Sequence, residues 1–184
     1  AVPNGVAVLA GAGNTLLATV TLGKRPTAIA VNPATNRLYV ATEVVGRTRS
    51  RDSLVVLDGF ADAVVGDIPV GLDPRAVAVD PRSNRVYVAN AADDTVSVLD
   101  GATDTILATI PVGHFPLALD VDPRTNRLYV GNRDDATLSV VDGARAVVAA
   151  TVPLRGHPGW MGVNAAADRV YVVTYDAVSY THLT

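Results

Sequence analysis

The feature that most restricts the fold is an internal repeat. Tyr39-Val40-Ala41-Thr42, Tyr87-Val88-Ala89-Asn90, Tyr129-Val130-Gly131-Asn132 and Tyr171-Val172-Val173-Thr174 recur at spacings of 48, 42 and 42 residues. Pro26, Pro74, Pro116 and Pro158 keep the same intervals, as do Gly11, Gly59, Gly101 and Gly143. Self-similarity at a fixed period marks an architecture of stacked units, none of which can bury its apolar surface alone. The irregular interval places six extra residues between Thr42 and Leu54, where a surface loop tolerates them.

Each unit reads as four short strands. In the second these are Ala76–Val79, Arg85–Val88, Thr95–Leu99 and Thr105–Ile110, rich in Val, Ile, Tyr and Thr and too short for helices. Asp80-Pro81-Arg82-Ser83-Asn84 and Asp122-Pro123-Arg124-Thr125-Asn126 supply tight-turn chemistry between the first and second strands. Asp100-Gly101 and Asp142-Gly143 follow the third strand, where glycine is expected to provide a positive φ. The chain is therefore all-β. Four antiparallel strands per ~42 residues, repeated, specify blades of a β-propeller.

The strands group as two, three sets of four, then two, so residues 1–175 form about four blades. Two arrangements stay open: a closed four-bladed ring with one blade split between the ends, or part of a larger ring. The segment 176–184 departs from the repeat and reads as extraneous to it, which favours the larger ring. His182 within it is assigned no role. An open arc exposes blade edges, so missing blades or self-association are expected.

The tyrosine-led tetrapeptide, the Val-Gly-x-x-Pro junctions at Val70–Pro74 and Val112–Pro116, and the strand ends Val96–Asp100 and Leu138–Asp142 together resemble the YVTN-type β-propeller repeat family. The resemblance runs from about Val6 to Tyr175. It implies a multi-bladed propeller of the surface-layer or exported kind, hence an extracytoplasmic address (periplasm, secreted or cell surface). It implies no reaction.

Composition narrows the function classes. Net charge is −3, which argues against a nucleic-acid partner, and no apolar run reaches the ~18 residues of a membrane span. The chain has no cysteine, so thiolate metal sites and cysteine nucleophiles are excluded. No cofactor or catalytic motif is present, and neither a catalytic residue nor a metal site is assigned.

Four features depart from the repeat or carry charge. The junctions Gly113-His114-Phe115-Pro116 and Gly156-His157-Pro158-Gly159-Trp160 align with Lys24-Arg25 and Leu72-Asp73, so varied side chains sit on a retained proline turn. In a propeller such junctions gather at one channel mouth, and His114, Phe115, His157 and Trp160 are ligand candidates there. The plain alternative is an unconstrained loop. Asp120 replaces Ala30 and Ala78 of other innermost strands; it either faces the channel to bind a cation or hydroxyl, or is a solvated or Arg-paired side chain. Arg47, Arg49 and Arg51 in the insertion are suited to an acidic group, or form a solvated loop on the same mouth. Asp93-Asp94 and Asp134-Asp135 read as turn residues, with Asn90 and Asn132 expected in Asx turns.

The leading expectation is a non-catalytic binding or surface scaffold with a protein or glycan partner. The alternatives are a propeller enzyme (lactonase, lyase or quinoprotein-like dehydrogenase) with its site at the channel mouth, and an intracellular protein-interaction hub. Propellers host all three, so fold alone does not choose.

Overall fold

The computed structural model describes residues 4–44 and 52–176. Arg47, Arg49, Arg51 and His182 lie outside the described residues. Among the described residues, sixteen strands form five antiparallel sheets. The first pairs β1 (Gly5–Ala10) with β2 (Thr15–Thr21). The second holds β3 (Arg25–Asn32), β4 (Arg37–Glu43), β5 (Ser53–Asp58) and β6 (Ala63–Pro69). The third holds β7 (Pro74–Asp80), β8 (Arg85–Asn90), β9 (Thr95–Asp100) and β10 (Thr105–Pro111). The fourth holds β11 (Pro116–Asp122), β12 (Arg127–Asn132), β13 (Thr137–Asp142) and β14 (Val147–Pro153). The last pairs β15 (His157–Asn164) with β16 (Arg169–Tyr175).

The strand grouping of two, four, four, four and two agrees with the repeat, and each whole sheet is a meander in chain order. The innermost strands pack in the order β3, β7, β11, β15, and no comparable contact joins β15 or β16 back to β1, β2 or β3. The described residues thus form an arc of a propeller.

Alternation along each strand sends one side chain set towards the preceding blade and the other towards the next. Tyr39, Ala41, Leu54 and Val56 of the second sheet meet Val86, Val88 and Leu99 of the third. Tyr87, Ala89, Val96, Val98 and Ile110 of the third then meet Leu119, Val121, Leu128, Val130 and Val141 of the fourth. A smaller cluster seats Val20 of β2 against Val40, Val55 and Leu57. Polar ties reinforce these apolar layers. The buried Tyr39 hydroxyl donates to the Gly101 carbonyl at 3.3 Å, and Arg37 reaches both Asp104 carboxylate oxygens at 2.9 and 3.0 Å. Burial pushes the Tyr39 hydroxyl above its ordinary pKa, so it stays a donor.

Two turn expectations need correction. Gly59, Gly101 and Gly143 do not supply the positive φ after the third strand; Asp62, Asp104 and Ala146 do. The glycines are required by close approach instead. The Gly101 N–H donates to the Asn84 carbonyl at 2.8 Å, and a Cβ there would lie 2.9 Å from that same oxygen. Asn90 and Asn132 are not Asx-turn residues either. Each amide donates across to the next strand, Asn90 to Thr95 and Ser97, Asn132 to Thr137 and Ser139. Asn90 packs where a Cβ on Gly71 would stand, and Asn132 does the same at Gly113. The Gly of the junction and the Asn of the tetrapeptide are therefore one steric unit.

Leu54→Ala, fully buried between two blades, should lower the unfolding free energy by about 3 kcal/mol in urea denaturation. Leu107→Ala, on an exposed outer strand, should cost less than about 1 kcal/mol.

Candidate functional site

Where an outermost strand hands over to the next innermost one, the chain turns tightly beside the loop joining second and third strands. Asp73 and Phe115 occupy positive φ at these turns, 54° and 53°. Such turns aim consecutive N–H groups in one direction, and each N–H needs an acceptor. Carboxylates provide them. Leu72 N–H donates to Asp93 at 2.8 Å and Asp73 N–H to Asp52 at 2.8 Å. One blade on, His114 N–H donates to Asp135 at 2.7 Å and Phe115 N–H to Asp94 at 2.9 Å. The acidic loop residues are thus staples for the junction turns, and among the described residues no His and carboxylate cluster is placed to hold a metal ion.

Three of the residues singled out by sequence converge on the loop 133–135. His114 Nδ1 lies 2.9 Å from Asp135 Oδ1, with its imidazole largely exposed. The Phe115 ring lies under the Arg133 guanidinium, 3.7 Å from carbon to ring centroid, a cation–π stack. His157 Nδ1 sits 2.5 Å from the Arg133 carbonyl and so carries the proton it donates there. Its ring tilts against Tyr175 with centroids 6.0 Å apart. Arg133 also grips Asp134 at 2.7 Å, which raises its pKa further. Sequence reasoning missed Arg133 and Tyr175. The available signal was departure from pattern, since Arg133 aligns with Glu43 and Ala91.

Trp160 belongs elsewhere. It is not on the junction turn but within β15, at the position of Ala28, Ala76 and Ala118, and it is 74% exposed. Together with these strands it lines an open axial cavity of about 480 Å³. Each inner strand bulges by one residue just before that position, at Thr27, Arg75, Leu117 and Gly159, and these bulge residues also line the cavity. A bulge re-aims a side chain, and Arg75 is turned to Asp73 at 2.7 Å and Glu43 at 3.7 Å. Asp120 joins two blades: its Oδ2 accepts from Val163 N–H of β15 at 2.8 Å and its Oδ1 from Val121 N–H at 2.8 Å.

No family model and no curated protein sequence matches the chain, so the tyrosine-led repeat stands as a resemblance. Solved structures share the propeller-like fold. A hydrazine synthase chain from Kuenenia stuttgartiensis is 22% identical with a TM-score of 0.75, over 84% of this chain and 43% of that one. A functionally unknown protein from Desulfotomaculum acetoxidans DSM 771 is 15% identical with a TM-score of 0.75, over 87% and 52%. The chain spans about half the length of these structures.

Two outcomes test the site as drawn. Asp120→Ala should cost about 1–2 kcal/mol in urea denaturation, because the Val163 N–H loses its acceptor. Asp135 is held below the ordinary 3.8, first by the His114 N–H and then by the His114 ring. A depressed carboxylate contributes stability that is complete above its unfolded pKa and is lost as pH falls through the folded one. The melting temperature should accordingly decline below about pH 4, and less steeply in Asp135→Asn.

Proposed function

We propose that this chain is a non-catalytic, exported propeller module that binds a protein or glycan partner at the channel mouth. The observation that carries the reading is the division of labour at that rim. The Leu72-Asp73 and His114-Phe115 turns share one backbone frame with the same carboxylate staples yet carry unlike side chains, and the aligned positions of the other two junctions hold Lys24-Arg25 and His157. A rigid frame presenting unlike side chains is what recognition uses. Asp52, Asp93, Asp94 and Asp135 are occupied by backbone donors, which supports binding over acid–base turnover. The exported address rests on the YVTN resemblance.

The strongest patch is the His114, Phe115 and Arg133 surface, which joins an imidazole, a stacked aromatic and a cation. A glycan array probed with the whole chain should register binding to acidic or neutral oligosaccharides, and an array of surface-protein peptides serves the protein arm. Arg133→Ala with His114→Ala should weaken the retained ligand by roughly tenfold or more. Turnover of lactone or polysaccharide substrates that Asp94→Asn abolishes would overturn the binding reading.

A further inference from the structure

In the second sheet the junction side chain is folded back onto its own blade. Lys24, just before β3, sends its ammonium to Ser53 Oγ at 2.7 Å and to both carboxylate oxygens of Asp67 at 2.7 and 3.0 Å. Its side chain is only 20% exposed. Ser53 opens β5 opposite Thr42, and Asp67 lies on β6 opposite Val55. The junction, third strand and fourth strand of one blade thus form a slot that holds a primary ammonium.

Two blades on, the same three elements enclose an open cavity of about 340 Å³. The residue at the position of Lys24 is His114, and its ring is turned instead to Asp135 at 2.9 Å. Thr137, opposite Asn132, stands at the position of Ser53, and Thr151, opposite Ser139, at that of Asp67. Both line the cavity together with Ser139 and Asp135. The Asn132 amide donates to the Thr137 and Ser139 hydroxyls at 3.0 and 2.9 Å, which leaves each oxygen a lone pair for a second donor. Pro111, Val112 and Val148 supply the apolar part of the wall. Asp135 brings to this slot the negative charge that Asp67 brings to the other.

We propose that the slot of the fourth sheet takes the lysine side chain of a partner protein. The proposal rests on the rim-binding function above and narrows its partner to a protein that presents a lysine. Lysine divides as the slot does, into an apolar stem and a charged head. The stem lies against Pro111, Val112 and Val148, and the head meets the three hydroxyls and Asp135. An ammonium has three donors to place, and Lys24 shows how such a slot receives them. The slot opens within the rim, because Asp135 both lines it and receives the His114 N–H at 2.7 Å.

n-Butylammonium, a lysine side chain without its backbone, is the probe. Titrated into the isotope-labelled chain, it should shift the amide NMR signals of Gly113, Asp135, Thr137 and Thr151 to saturation, and n-butanol should not. Thr151→Asp, which reproduces the carboxylate of Asp67, should tighten that binding by roughly fivefold or more, and Thr151→Val should weaken it. Lys24→Ala opens the first slot as an internal control, so the same titration should then shift Ser53 and Asp67 as well. Peptides with a single lysine should reproduce the fourth-sheet shifts, and their Nε-acetylated counterparts should lose them. Butylammonium that enters the Lys24→Ala slot but leaves the fourth-sheet signals unmoved would overturn the proposal, as would equal shifts with n-butanol or stronger ones with glucosamine. A rim ligand whose affinity ignores both Thr151 variants would also overturn it while leaving the rim-binding function standing. That function fails separately, by loss of all binding on the arrays.

Discussion

Everything in this structure depends on a blade having two apolar faces. An antiparallel sheet of Val, Leu, Ala and Tyr, four strands wide, is stable only where another such sheet covers it on each side. The burial pattern shows this directly. The central strands of the whole sheets are largely enclosed, and the same positions in the end sheets are half-buried or exposed. Glycine at each Asp-Gly turn lets that turn approach the neighbouring Asn carbonyl, and the same turn receives Tyr39 from the preceding blade. Packing and hydrogen bonding thus serve a single requirement, that blades sit at one repeating distance.

The polar residues follow from the same requirement. Tight handover turns leave backbone N–H groups aimed away from the sheets, and a buried or half-buried donor without a partner is costly. Aspartates of neighbouring loops satisfy them at the Leu72-Asp73 and His114-Phe115 turns. Conspicuous acidic pairs in such a repeat are therefore structural before they are chemical. What is left for recognition is the side chains that the turns hold outwards, together with Arg133 and its aromatic partner.

Much of this was legible in the residues. Strand positions, blade grouping and the matching junction positions of His114 and His157 follow from alternation, turn chemistry and the interval between copies. Four details did not follow. Gly101 fits a positive-φ turn and a close-approach turn equally well by composition. Asn90 is turn-like by type, yet only the packed sheet brings Ser97 within reach of its amide. Asp120 departs from its aligned alanine, but the departure alone does not reveal a backbone N–H from another blade. Trp160 aligns with Ala76 of a first strand, but that alignment does not reveal that the side chain stands 74% exposed on the wall of the axial cavity.

The sequence by itself determined the repeat, the all-β class and which residues of each strand share a face, because these depend on local periodicity and turn chemistry. Tertiary structure alone decided which aspartates are staples, where the imidazoles meet the loop 133–135, and which apolar faces stay exposed among the described residues. Those outcomes depend on what lies opposite a side chain across a blade interface, and the residues that lie opposite are a whole repeat or more away along the chain.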